Sequence, residues 1–263
     1  MHTIGEQYAK LIDALRRREE VLGVWLGGSR GKGYHDEHSD YDLLIVVRDA
    51  AVMPQVKTHI ASLALNNAID VGVTTLGALR DLARWGRSDA WRRYAFADTR
   101  VIFDRTGEVQ THIDRIGRLP ERYRRSLTRR ALDAYLNATY RAVKAQSRGK
   151  GFAARLDSGH AVEHLLVALF ALHGRFKPYN DYLEREIWHL HLLGQLQGGL
   201  LERFSALMLT AELKAHFNLR DDMDTLFRAH GFGEVFDSWA DHWQRVAHEF
   251  ASTVSTYNGG PQQ

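Results

Sequence analysis

The chain has no cysteine among its 263 residues. Disulfides and thiolate metal sites are therefore excluded, and any metal must be held by oxygen or imidazole ligands. No apolar run approaches the length needed to cross a bilayer, so no membrane partner is expected. The first residues, Met1 to Glu6, lack a basic region followed by an apolar stretch, so no signal peptide is expected and the cytoplasm is the default compartment. Internal repeats and low-complexity tracts are also missing. Charge of one sign is scarce: the formal net charge is only +3. The arginine clusters at 16–18, 92–93, 124–125 and 129–130 interleave with acids or apolar residues, as solvated helix faces do. That balance can help to hold an anionic nucleotide but argues against a nucleic-acid partner.

One short stretch concentrates the chemistry. Gly27-Gly28-Ser29 is followed, after ten residues, by Asp40-Tyr41-Asp42. Val21 to Leu26 before the glycines and Leu43 to Val47 after Asp42 are apolar runs of strand length. The order is strand, Gly-Ser turn, polar loop, and Asp-x-Asp at the head of a second strand. Side chains alternate along a strand, so Asp40 and Asp42 are expected on one face. Two close carboxylates attract a hard divalent cation, and Mg²⁺ is commonly held by one or two carboxylates plus substrate phosphates. Gly28 lets the backbone approach a phosphate, and Ser29 offers a hydroxyl donor. Together they read as a cradle for a metal–nucleoside triphosphate, with Asp40 and Asp42 as metal ligands.

A third acid stands at Asp70, in Ile69-Asp70-Val71-Gly72-Val73-Thr74. Ile69, Val71 and Val73 share one face of a strand; Asp70, Gly72 and Thr74 share the other. An unpartnered Asp inside a central strand is costly, which points to a metal or a proton as its partner. Asp70 is thus a candidate second-metal ligand or a general base.

This order resembles the nucleotidyltransferase superfamily that includes DNA polymerase beta, and within it the minimal and the antibiotic-modifying enzymes. The resemblance implies a mixed sheet with helices on one face. It also implies Mg²⁺ and a nucleoside triphosphate, with ATP favoured, as cofactors. A small-molecule hydroxyl acceptor of the aminoglycoside or lincosamide type follows, and with it a role in antibiotic resistance. In similar streptomycin- and spectinomycin-type adenylyltransferases an acid on this strand serves as base, a role implied here for Asp70.

Elsewhere periodicity predicts helices over 3–18, 54–66 and 76–85 and a short strand at Val101-Ile102-Phe103. Strands alternating with helices argue for an α/β head over residues 1–118. Beyond Pro120 no strand pattern is found. Helices are expected over 127–146, 153–173, 181–193, 200–217, 222–229 and 235–254, forming a substrate-binding antiparallel bundle over 119–263, with a frayed tail from Asn258. An α/β head followed by an all-α bundle resembles the antibiotic nucleotidyltransferases, whose bundle is similar to HEPN domains.

In that bundle Glu163 shares a helix face with His160. The resemblance makes Glu163 a second candidate base, since the bundle supplies this acid in some aminoglycoside enzymes. Lys177 and Tyr179 follow the helix end as candidate contacts to the triphosphate or the acceptor. Glu163, Asp181 and Glu184 are candidate carboxylates for a polycationic acceptor. Arg155 and His160 match the spacing of HEPN ribonucleases, but Val162 stands where a modified tyrosine would be. His35 and His38 flank the loop before Asp40, and His189 and His191 form a His-x-His pair poorly suited to one ion on a helix. A protein-modifying, antitoxin-like transferase and a non-catalytic nucleotide-binding module are the competing readings. Oligomeric state, a homodimer included, stays open.

Overall fold

The computed structural model describes residues 3–86, 90–190 and 199–246. The chain forms two compact units, Met1–Leu119 with Pro178–Tyr182, and Pro120–Lys177 with Leu183–Gln263.

The first unit holds four strands, β1 (Val21–Leu26), β2 (Tyr41–Val47), β3 (Ile69–Thr75) and β4 (Val101–Asp104). They form one mixed sheet in the order β3-β2-β1-β4. β1 is antiparallel to β2 and β4, whereas β2 and β3 run parallel. β1 is buried on both faces, which is why its sequence reads as a continuous apolar run. On one face Leu43, Ile45, Val47 and Ile69 pack with Leu11, Ile12 and Leu15 of α1 (Ile4–Arg16) and Val56 of α3 (Met53–Ser62). α1 starts in a reciprocal capping box: Thr3 Oγ1 accepts from the Glu6 N–H, and Glu6 accepts from the Thr3 N–H. On the other face Leu22, Trp25 and Val46 pack with Leu79 of α4 (Leu76–Leu82) and Val109, Ile113 and Ile116 of α6 (Glu108–Gly117). Helices therefore cover both faces of the sheet, rather than the single face that the resemblance implies. No element was expected at α6, although Val109, His112, Ile113 and Ile116 recur at helical spacing.

The short α5 (Ala90–Tyr94) carries a buried structural cation. The Arg93 guanidinium donates to Leu82 O (3.0 Å), Arg84 O and Ile116 O (3.3 Å). It thereby satisfies carbonyls left open at the ends of α4 and α6.

The second unit is helical: α7 (Glu121–Ser147), α8 (Gly151–Leu172), α9 (Leu183–Glu186), α10 (Leu200–Thr210), α11 (Leu213–Ala229) and α12 (Gly233–Asp237), with residues 240–246 also helical. Its core joins Leu132, Tyr135 and Leu136 of α7 to Leu165, Leu169 and Phe170 of α8, Phe204 of α10 and Met223 and Phe227 of α11. The helix expected over 181–193 is instead broken into 3₁₀ turns at Asn180–Tyr182 and Ile187–His189 around α9. The buried Glu186, paired with Arg175 at 2.8 Å, pins that irregular path. Residues 191–193 of that expected helix lie outside the described residues, as do His191, residues 247–254 and the tail from Asn258. The helix expected over 200–217 stops at Thr210, because Ala211 takes a left-handed conformation (φ 51°). α11 then runs unbroken to Ala229. No helix among the described residues is long and apolar enough to cross a membrane.

One buried pair makes this unit pH-sensitive. The Ser158 hydroxyl donates to Ala154 O (2.8 Å), which leaves His216 Nε2–H as donor to Ser158 Oγ (2.9 Å). Burial pushes the His216 imidazole down from 6.5 to about 4. Between those values the unfolded chain binds a proton that the folded chain refuses. Stability present above the unfolded value is therefore lost as pH falls through this window, at up to ~1.4 kcal/mol per pH unit. Thermal melts at a series of pH values should show His216→Gln losing less stability than the wild type on acidification. Parallel curves would remove the imidazole as the cause.

Candidate active site

The glycine-serine turn is built on close contacts. Gly27 N–H donates to Asp42 O (2.8 Å), tying the turn to β2. A Cβ on Gly27 would run into the Trp25 ring. Gly28 has φ 57°, and a Cβ there would overlap Asp42 Oδ2. The carboxylate of Asp42 thus lies in the space that a glycine leaves open, and Gly28 is required both by conformation and by contact. The turn leads into the short α2 (Gly28–Lys32), which carries Ser29.

The loop that follows is steered by Arg30. Its guanidinium donates to Ser39 O (2.8 Å from Nη2) and to Asp40 O (3.0 Å from Nε). It also stacks over the Tyr41 ring at 4.1 Å, and Tyr41 stacks on Tyr8 at 4.4 Å. Arg30 therefore positions the backbone that presents Asp40, which enters just ahead of β2. His35 and His38 are exposed in this loop. Asp36 organises its turn, and its carboxyl is held below the usual range by the Ser39 hydroxyl and the His38 N–H.

Parallel pairing of β2 with β3 sets Asp42 directly opposite Asp70. Neighbouring strands lie about 4.8 Å apart, so the two acids stand side by side. The carboxyl of Asp42 is raised above the usual range, first by burial and then by the charges of Asp40 and Asp70. Asp42 thus feels both of the other expected acids at one corner of the sheet. β3 is an edge strand, and Asp70 is exposed. The expected cost of burying Asp70 in a central strand does not arise, because solvent reaches it. Among the described residues no group of three His, Asp or Glu side chains is gathered closely enough to hold a metal ion. The donor chemistry nevertheless fits a hard cation. The donors are carboxylates alone, one of them raised by its neighbours, and such sites are usually completed by substrate phosphates and water.

Two residues from a distant part of the sequence complete this corner. Tyr179 and Tyr182, in the segment Pro178–Tyr182, belong to the first unit. The Tyr182 hydroxyl lies near the Ser29 side chain, and the Tyr182 ring meets Tyr34 edge-on at 5.3 Å. Tyr179 lies against Trp91 (5.0 Å) and Tyr94 (5.1 Å). Both phenols are raised, chiefly by burial, and the Asp42 charge contributes to each. Tyr179 is legible in the sequence as a contact after a helix end. Tyr182 and Arg30 carry no local signal that marks them.

Glu163 and Lys177 belong to the second unit, where they pair with each other at 3.2 Å. Lys177 is largely buried there, while Glu163 is half-exposed. On α8 the buried Asp157 pairs with Arg141 at 2.8 Å, and the neighbouring Arg155 and His160 are exposed.

Residues 9–78 match the model of the nucleotidyltransferase domain family. That stretch runs from α1 into α4 and contains the glycine-serine turn and all three acids. Among solved structures the chain is similar to a nucleotidyltransferase-like protein from Exiguobacterium sibiricum 255-15. The identity is 14% and the TM-score 0.42, covering 94% of this chain and 79% of that one. No curated protein matches the chain. A nucleotidyltransferase domain supports transfer of a nucleoside monophosphate in general.

The electrostatics of Asp42 give a test independent of activity. An acid whose folded value is raised costs stability as pH climbs from its unfolded value through the raised one, and that cost is relieved on acidification below this window. In chelator, Asp42→Asn should melt above the wild type at neutral pH, and the gap should close on acidification. Each kcal/mol relieved corresponds to about 2–4 °C in a chain of this size. A variant that melts lower, or a gap indifferent to pH, would contradict the raised Asp42 carboxyl that burial and the neighbouring acids produce.

Proposed function

We propose that the protein is a Mg²⁺-dependent nucleotidyltransferase that moves a nucleoside monophosphate, with AMP from ATP favoured, onto a hydroxyl of a small molecule. The observation that carries this reading is the Asp42–Asp70 pair set beside a turn whose glycine leaves room for the Asp42 carboxylate. A divalent cation, when bound, supplies neutralisation of the triphosphate charge. Asp40 and Asp42 would hold it, with Asp70 as a third candidate ligand.

The chain's own residues supply orientation and proton transfer. The glycine-serine turn would face the phosphates, with Gly28 making room for Asp42 and the Ser29 hydroxyl donating to a phosphate oxygen. Arg30 holds the loop that delivers Asp40. In the transfer, the acceptor oxygen forms a bond to the α-phosphorus while the bond to pyrophosphate breaks. Asp70, exposed at the sheet edge, is placed to take the acceptor's proton. Most of the acceleration is positioning and charge neutralisation, as in phosphoryl transfer generally. The aminoglycosides and lincosamides implied by the resemblance form the first acceptor panel.

One observation favours a second reading, in which the acceptor is a protein hydroxyl. The Tyr182 phenol feels the charge of Asp42 and its ring meets Tyr34 just after the turn, so a tyrosine already stands beside it.

Incubation with Mg²⁺, each labelled nucleoside triphosphate and the acceptor panel should release pyrophosphate in step with labelled acceptor. Asp42→Asn should reduce the rate by at least about a thousandfold, or about 4 kcal/mol of barrier, with the fold retained. Unchanged pyrophosphate release in that variant would refute the site. On the second reading, intact mass analysis shows one nucleoside monophosphate added to the chain, and Tyr182→Phe removes it. Survival of that adduct in Tyr182→Phe would dismiss this tyrosine as acceptor.

A further inference from the structure

We infer that the first unit carries a slot for a flat aromatic ring beside the three acids, and that the ring belongs to an uncharged or anionic part of a substrate rather than to a polycation. The inference deepens the nucleotidyl-transfer reading and rests on it for the reaction, though not for the binding. An open cavity of about 370 Å³ lies on the α4 side of the sheet, within the range of small-molecule sites.

Its floor includes Leu44 of β2 and Thr74 of β3. Each lies on the same side of its strand as an acid, since Leu44 follows Asp42 by two residues and Thr74 follows Asp70 by four. Two strand residues span about 7 Å, so the slot begins where the acid pair ends. Between Asp70 and Thr74 stands Gly72, where a Cβ would press on Leu44 Cδ1 at 3.2 Å. Glycine keeps this part of the floor low.

The walls are aromatic. Trp25 stacks on Phe96 at 4.5 Å, with its Nε1–H donating to Thr99 Oγ1 at 2.9 Å. That bond locks the indole in place. Tyr179 also lines the slot and is braced by Trp91 and Tyr94. Flat rings fit between such surfaces by offset or edge-on contact. Among the described residues that line the cavity none is a carboxylate, and the charged one is Arg92. Ammonium groups would lose water there without gaining a partner, whereas a ring loses little and can meet the guanidinium face. The ring can come from the nucleobase or from the acceptor, and the two are separable.

The test is titration of the full chain with adenosine, benzyl alcohol and magnesium tripolyphosphate, followed through the amide resonances of Thr74, Ala78 and Ala95. One of the two ring probes should shift these resonances. Ala78→Trp, which fills the slot from an exposed position, should weaken that ring at least about tenfold, equivalent to ~1.4 kcal/mol. Magnesium tripolyphosphate should bind this variant as it binds the wild type. A response to adenosine assigns the ring to the nucleotide; a response to benzyl alcohol assigns it to the acceptor. Silence from both ring probes, or ring binding unchanged in Ala78→Trp, overturns the inference. Ala95→Leu, which narrows the slot from another wall, must weaken the same ring and covers the case in which Ala78→Trp fails to fold. Ring binding without any tripolyphosphate binding would leave the slot standing and sink the transfer reading instead.

Discussion

The parallel pairing of β2 with β3 is the constraint on which the rest of the candidate site depends. It sets Asp42 opposite Asp70 and, in the same register, Leu44 opposite Gly72 and Val46 opposite Thr74. A slip of one residue would send every one of these side chains to the other face. The register is held by Leu43, Ile45, Val47 and Ile69, which bury themselves against α1 and α3. Hydrophobic packing on one face thus forces two carboxylates together on the other. The Asp42 carboxyl is raised by its burial first and by the charges of Asp40 and Asp70 second, and the molecule tolerates both. Acids crowded in this way are a common mark of sites that bind cations or move protons.

Around this pair the supporting residues act by contact rather than by charge alone. Gly27 accommodates the Trp25 ring, and Gly28 accommodates the Asp42 carboxylate. Trp25 is fixed through Thr99 and Phe96, so the wall of the aromatic slot and the base of the glycine-serine turn share one indole. Arg30 binds the loop carbonyls ahead of Asp40 and covers Tyr41. A glycine-rich turn, an acid pair and a ring slot are in this sense parts of a single packed arrangement. Disturbing one wall is felt in the others.

In the helical unit, Glu163, a candidate base by resemblance, and Lys177, a candidate contact after a helix end, pair with each other. Two other buried groups of that unit are also paired locally, Asp157 with Arg141 and Ser158 with His216.

How much of this was legible in the chain divides along physical lines. The strands showed themselves as apolar runs, because β1 is buried on both faces and β2 nearly so. The acids, the glycines and Ser29 were legible as a pattern of residue types at fixed spacing. α6 was missed although Val109, His112, Ile113 and Ile116 carry its signal. The helix end at Thr210 was not visible, since Ala211 is not a residue that announces a left-handed turn. Local periodicity and residue chemistry are properties of neighbours in the chain, and these the sequence determined by itself: where the strands run, which acids exist, where a phosphate could approach. The order of strands, the edge position of Asp70, the second helical cover of the sheet, the return of Tyr179 and Tyr182 to the turn and the aromatic slot were decided only by the tertiary structure. Each depends on contacts between residues far apart in sequence, and no local pattern encodes which distant partner a side chain will meet.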